Sequence, residues 1–140
     1  MTPVRVLVVD DALFMRAMVR EIFAVSPFVV AGEAEDGEEG VRRYRELRPD
    51  LTTMDIVMPK LDGLRALREI MAFDPAARVV MCSALGQERL IAEAIALGAK
   101  DFIVKPFQPA RVLRVARSVL GLAGPGFPLP ARASGLEAVR

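Results

Sequence analysis

The chain has 140 residues, 53% hydrophobic and 26% charged, and its 19 basic and 18 acidic side chains leave a formal charge of +1. That size and composition describe one globular domain with a proper core, and exclude a disordered chain or two ordinary domains. Histidine is absent, which removes imidazole catalysis and histidine–metal ligation, and no basic stripe interleaved with aromatics suggests direct contact with nucleic acid.

Val4 to Val9 is a short apolar run suited to a mostly buried strand, and it ends in Asp10-Asp11. Ala12 to Val25 reads as a helix that buries Leu13, Ala17, Ile22 and Phe23, with Arg16, Arg20 and Glu21 outward and Pro27 closing it. Phe28 to Gly32 is a second short strand, and Asp36-Gly37 turns into a helix over 38–48 carrying Val41, Tyr44 and Leu47 on one side. Pro49-Asp50 stops it, and a third strand begins at Leu51 and ends by delivering Asp55.

Pro59 ends any regular element after that strand, and Asp62-Gly63 is a strong turn signal. Gly63 to Ala72 is the third helix, with Leu64, Leu67, Ile70 and Met71 as its apolar stripe. Arg78 to Cys82 is the fourth strand, finishing at Ser83, and a helix over 87–97 stops at Gly98. Asp101 to Val104 is the fifth strand, ended by Lys105-Pro106, and a last helix covers 109–120, with Pro109 tolerated in its first turn.

Strand and helix thus alternate five times, a rhythm that argues for parallel βαβ units covered on both faces. Residues 1–121 form the expected folded domain. Residues 122–140, which open with Gly124-Pro-Gly-Phe-Pro-Leu-Pro130, carry too little periodic apolar surface to fold, and read as a flexible tail or the start of a linker. The single cysteine, Cys82, lies in an apolar run and reads as a buried small hydrophobe. No run approaches 18 apolar residues and no secretory signal opens the chain, so a soluble, cytoplasmic monomer is expected, without membrane insertion.

In a parallel sheet all strand C-termini share one edge. Asp10, Asp11, Asp55, Ser83 and Lys105 therefore meet there. Three carboxylates so close would repel and raise one another's pKa values unless a hard divalent cation lay among them, and an all-oxygen ligand set favours Mg²⁺. The plainer reading is that Asp10 and Asp11 cap the first helix. A carboxylate beside Mg²⁺, a lysine and a hydroxyl can also receive a phosphoryl group. Asp55 would be the nucleophile, with Mg²⁺, Lys105 and Ser83 stabilising the transferring oxygens. No Gly-x-x-x-x-Gly-Lys loop is present to cradle ATP, so the donor should be another protein's phosphoresidue or a small acyl phosphate.

Asp10-Asp11, Met54-Asp55 with Met58-Pro59 and Asp62-Gly63, Ser83-Ala84, and Lys105-Pro106-Phe107 together resemble the receiver domains of two-component response regulators, over residues 4–120. The resemblance implies a flavodoxin-like (βα)5 doubly wound sheet of order 2-1-3-4-5 and a cis peptide before Pro106 that would orient Lys105. It also implies that Asp10, Asp11, Asp55 and the backbone carbonyl of Val57 hold the metal. Ser83 and Phe102 would form a switch pair, although Phe102 stands where a tyrosine is commoner and is otherwise an ordinary core aromatic.

Within the family, Val80-Met-Cys-Ser-Ala-Leu-Gly-Gln87 and Gly98-Ala-Lys-Asp-Phe-Ile-Val-Lys-Pro-Phe-Gln108 look most like stand-alone chemotaxis regulators of the CheY type. That implies phosphorylation on Asp55 by a chemotaxis histidine kinase, followed by binding to the flagellar motor switch. The changed surface would include Gln87, Glu88, Ala99 and Phe102. An aspartyl-phosphate phosphatase is a further implied partner, and self-phosphorylation and slow self-dephosphorylation the only implied catalysis. Val57 and Leu85 occupy positions that are often polar in receivers, and as apolar residues they would slow loss of phosphate, unless they merely cover apolar surface. Two alternatives remain. The chain is the receiver part of a regulator whose DNA-binding domain is missing, or it is a small-molecule phosphatase of the haloacid-dehalogenase kind. The latter needs an acid two residues after the nucleophile, where this chain has Val57.

Overall fold

A computed structural model describes residues 2–122. Five parallel strands, β1 (Val4–Val9), β2 (Phe28–Ala34), β3 (Leu51–Asp55), β4 (Val79–Ser83) and β5 (Asp101–Val104), form one sheet in the order β2-β1-β3-β4-β5. The helices between and after them are α1 (Leu13–Ile22), α2 (Gly37–Leu47), α3 (Gly63–Phe73), α4 (Glu88–Leu97) and α5 (Pro109–Val119). This is the flavodoxin-like, doubly wound arrangement.

The strands have two buried faces, which explains their nearly unbroken apolar runs. Leu7, Val9, Met54, Val79 and Met81 pack with residues of α2, α3 and α4, among them Tyr44, Leu67, Ile70 and Ile91. Val6, Val8, Leu51, Val80, Cys82 and Ile103 pack with Val19 and Ile22 of α1 and Val112, Val115 and Ala116 of α5. Cys82 is buried as expected, and burial pushes its thiol pKa up, so it is held as the unreactive thiol. None of the helices among the described residues is long and apolar enough to cross a membrane. The stretch read as a tail, 122–140, lies outside the described residues except for Leu122.

Three expectations change. The first helix ends at Ile22, where Phe23 turns inward to meet Phe28 edge-on at 5.1 Å between ring centroids. Its buried face is set by Val19 and Ile22, with Met15 and Met18 beside them, while Leu13 and Ala17 are exposed and Arg16 is drawn in. An ion pair explains the rotation, because Arg16 reaches Glu33 at 3.1 Å and donates to the Asp10 carbonyl at 2.8 Å. Third, β2 runs to Ala34, two residues further than its apolar run. It is an edge strand whose polar end is held by β1 pairing and by the Asp10 N–H bond to the Ala34 carbonyl.

Candidate functional site

The sheet's C-terminal edge is built by backbone continuity past the strand ends. Ile56 N–H donates to the Cys82 carbonyl at 3.1 Å, and Lys105 N–H to the Ser83 carbonyl at 2.7 Å. Asp55, Ser83 and Lys105 are thereby stepped across β3, β4 and β5. On the other side Asp10 N–H bonds to Ala34, while one Asp10 carboxylate oxygen accepts from Ala12 N–H at 2.9 Å. The N-cap of α1 is Ala12 and no side chain caps it, so the reading of Asp10 and Asp11 as helix caps does not hold. The other Asp10 carboxylate oxygen lies 3.4 Å from Lys105 Nζ.

The loop after Asp55 is closed by Gly63 N–H donating to the Ile56 carbonyl at 2.7 Å, and Asp62 caps α3 by accepting from Arg65 N–H at 3.0 Å. Gly63 is required by space: a Cβ there would overlap the Asp55 carbonyl oxygen and crowd Ile56. The start of α3 thus rests directly on the end of β3, which fixes where Asp55 sits.

Asp10, Asp11 and Asp55 each offer a carboxylate oxygen, all within 4.8 Å of one another. Asp10 and Asp55 are buried, and Asp11 is exposed. Lys105 Nζ stands 3.2 Å from Asp55 Oδ2 and bridges the two buried acids. Burial pushes the Asp55 carboxyl up from its ordinary 3.8 to about 6, against the pull of Lys105 and helped by the nearby Asp10 and Asp11 charges. Burial works to lower the Lys105 pKa, but Asp55 and Asp10 outweigh it and hold the ammonium protonated beyond its usual range. The donor set is hard, anionic and all-oxygen, with one member strained toward neutrality, and this fits a divalent cation such as Mg²⁺.

Ser83 is fully buried and its Oγ has no protein partner. Thr52 Oγ1, further back on the neighbouring strand β3, is likewise buried without a protein partner. Phe102 is also buried, packed within the α2–α3–α4 side of the core, and Ala99 is buried with it. Both were expected on the outward surface. Instead the ring already occupies the inward packing, since residues of a strand covered on both faces have no outward direction. Gln87 is half-buried and Glu88 exposed, as expected for the start of α4. Beside Phe102 a small cavity of about 110 Å³ is lined by Ala84, Leu85, Ile91, Val104 and Arg111.

The Lys105–Pro106 peptide is cis. Val57 and Leu85 are 56% and 82% exposed, so neither is buried core, and both stand in the loops directly after Asp55 and Ser83. Leu13 and Phe14, each 71% exposed, stand just past Asp10-Asp11. The helical spacing assigned Leu13 to the core, and the structure exposes it. Arg16 and its contact with Asp10 were also missed, because nothing in the spacing marks an outward arginine that bends back.

Residues 6–117 match the response regulator receiver domain family. The chain belongs to that family. Among relatives of this receiver domain, Protein CcdB of Bacillus subtilis is 56% identical over 117 residues, taking in 84% of this chain and 98% of that protein. The chemotaxis protein CheY of Thermotoga maritima is 54% identical over 115 residues, 82% of this chain and 96% of its own. Among solved structures, a complex of CheX with CheY, BeF₃ and Mg²⁺ from Borrelia burgdorferi superposes with a TM-score of 0.81. Its identity is 45%, over 84% of this chain and 90% of the matched one. This chain is therefore a receiver domain similar to CheY chemotaxis proteins.

Proposed function

We propose that the protein is a phosphoacceptor switch of a chemotaxis pathway, phosphorylated on Asp55 by a histidine kinase and then read by the flagellar motor switch. The observation that carries the reading is Asp55 itself: a buried carboxylate in contact with Lys105, beside two further aspartates and an unpaired Ser83 hydroxyl. An Asp55 oxygen attacks the phosphorus of a phosphohistidine. The P–N bond breaks, and its electron pair leaves with the imidazole nitrogen, which takes up a proton from solvent. Lys105 neutralises one oxygen of the arriving phosphoryl group, and Ser83 Oγ donates to another. Asp10, Asp11, Asp55 and the Val57 carbonyl would hold Mg²⁺, which supplies charge neutralisation when bound.

The T. maritima chemotaxis protein CheY, matched over 96% of its own length, supports the chemotaxis reading. The CheX–CheY complex supports a further protein partner comparable to CheX, and an aspartyl-phosphate phosphatase remains our proposal for its role.

Movement of Ser83 toward bound phosphoryl oxygens would let the Phe102 packing and the adjacent cavity rearrange together. A motor-switch partner would then select one of two packings, with a coupling of roughly 1–3 kcal/mol. The test is binding of a flagellar-switch protein to this chain with and without Mg²⁺ and BeF₃⁻. Tighter binding with the phosphoryl mimic supports the reading, and equal binding contradicts it.

A further inference from the structure

Side chains of an α-helix lean toward its N-terminus, so an arginine in the first turn reaches back over the residues before it. Arg16 does so in α1, where its own N–H bonds to the Ala12 carbonyl at 3.0 Å. Its Nη1 donates to the Asp10 carbonyl at 2.8 Å, and its Nε to Glu33 Oε1 at 3.1 Å. The Arg16 side chain is only 11% exposed, and the second Glu33 oxygen is taken by Arg20 at 3.2 Å. Glu33 is itself fixed by the sheet, since it pairs with Val8 in the β1–β2 register. The next residue, Ala34, accepts the Asp10 N–H at 3.0 Å. The end of β2 therefore grips Asp10 twice, at its N–H directly and at its carbonyl through Arg16.

We propose that Arg16, held by Glu33, is a positioning residue for the divalent-cation site, an inference that rests on the reading of Asp10, Asp11 and Asp55 as its ligands. The Asp10 carbonyl belongs to the peptide plane that joins Asp10 to Asp11, beyond the end of β1. Turning that plane swings both carboxylates relative to Asp55 on β3, and so changes the spacing of the three oxygens that now lie within 4.8 Å of one another. The bond from Ala12 N–H and the contact with Lys105 hold the Asp10 carboxylate, whereas Arg16 holds the plane shared with Asp11. Arginine suits the task because its rigid planar fork reaches a carbonyl and a carboxylate at once, which the single ammonium of lysine does not do in one geometry. Groups that orient metal ligands from behind are worth roughly ten- to hundredfold in metal affinity.

Calorimetric titration of the full-length protein with MgCl₂ reads the Kd directly. Arg16→Gln should raise it about tenfold, and Arg16→Lys, which keeps the charge but not the fork, about threefold. A charge effect alone has the opposite sign: removing a cation beside three carboxylates should tighten Mg²⁺ in Arg16→Gln and leave Arg16→Lys unchanged. Adding Glu33→Gln to Arg16→Gln should weaken binding little further, because the pair acts as one unit. An equal or tighter Kd in folded Arg16→Gln overturns the proposal, and should that variant not fold, an equal Kd in Arg16→Lys overturns it as well. A lower urea midpoint with an unchanged Kd reduces the pair to a stabilising contact and likewise overturns it. Absence of Mg²⁺ binding by the wild-type protein would overturn the metal reading itself, a result distinct from a wild-type Kd that the variants leave untouched.

Discussion

Replacing Asp55 with asparagine should make the metal-free protein more stable at neutral pH. The folded protein holds the Asp55 proton up to about pH 6, whereas the unfolded chain releases it near 3.8. Between those values the native state binds more protons, so stability falls as pH rises through the window, and the whole cost is present above it. The difference, 6 − 3.8, corresponds to about 3 kcal/mol at 1.36 kcal/mol per pH unit. Asparagine removes that cost but also the 3.2 Å ion pair, leaving Lys105 with Asp10 alone. A net gain of about 1–2 kcal/mol remains. Urea unfolding in EDTA at pH 7.5 should show it as a higher midpoint with unchanged slope. At pH 4 the gain should largely vanish. Added Mg²⁺ should raise the wild-type midpoint more than the variant's, by mass action on the native state. A variant less stable than wild type at pH 7.5, or a gain that persists undiminished at pH 4, would refute the argument that burial dominates this carboxylate.

Ser83→Ala should be neutral or stabilising by up to about 1 kcal/mol, since it deletes a buried, unpartnered hydroxyl, yet slow phosphoryl uptake by roughly tenfold. Paired urea curves and acetyl phosphate time courses check both halves. Gly63→Ala should cost about 3 kcal/mol or more, because the new Cβ overlaps backbone at Asp55 and Ile56, and a thermal melt reads it. Val57→Asn, at an exposed position in the loop after Asp55, should speed loss of the phosphoryl group by several-fold and at most roughly tenfold, by orienting the attacking water. Phosphate release without phosphatase in saturating Mg²⁺ is the measurement, and an unchanged or slower rate in a folded variant counts against it.

The sheet was legible because buried parallel strands are apolar on both sides and end in the polar residues that form the site. Asp10, Asp55, Ser83 and Lys105 could be brought together from that rule alone. The rule does not say which way a helix turns. Leu13 and Ala17 fit an apolar stripe as well as Met15 and Val19 do, and the choice is made by Arg16 bonding back to Asp10 and Glu33. Nor does it reveal that β2 continues through Gly32-Glu33-Ala34, where main-chain pairing replaces apolar burial. Phe102 was read both as a core aromatic and as part of an output surface, and β5 buries the ring in the core as the first reading has it.

Asp55 alone is expected to receive the phosphoryl group. Intact-mass measurement after incubation with acetyl phosphate and Mg²⁺ tests it most directly. The wild-type chain should carry one acid-labile phosphoryl group, Asp55→Asn none, and neither protein any in EDTA. An Asp55→Asn protein that still gains one phosphoryl group under the same conditions would contradict it.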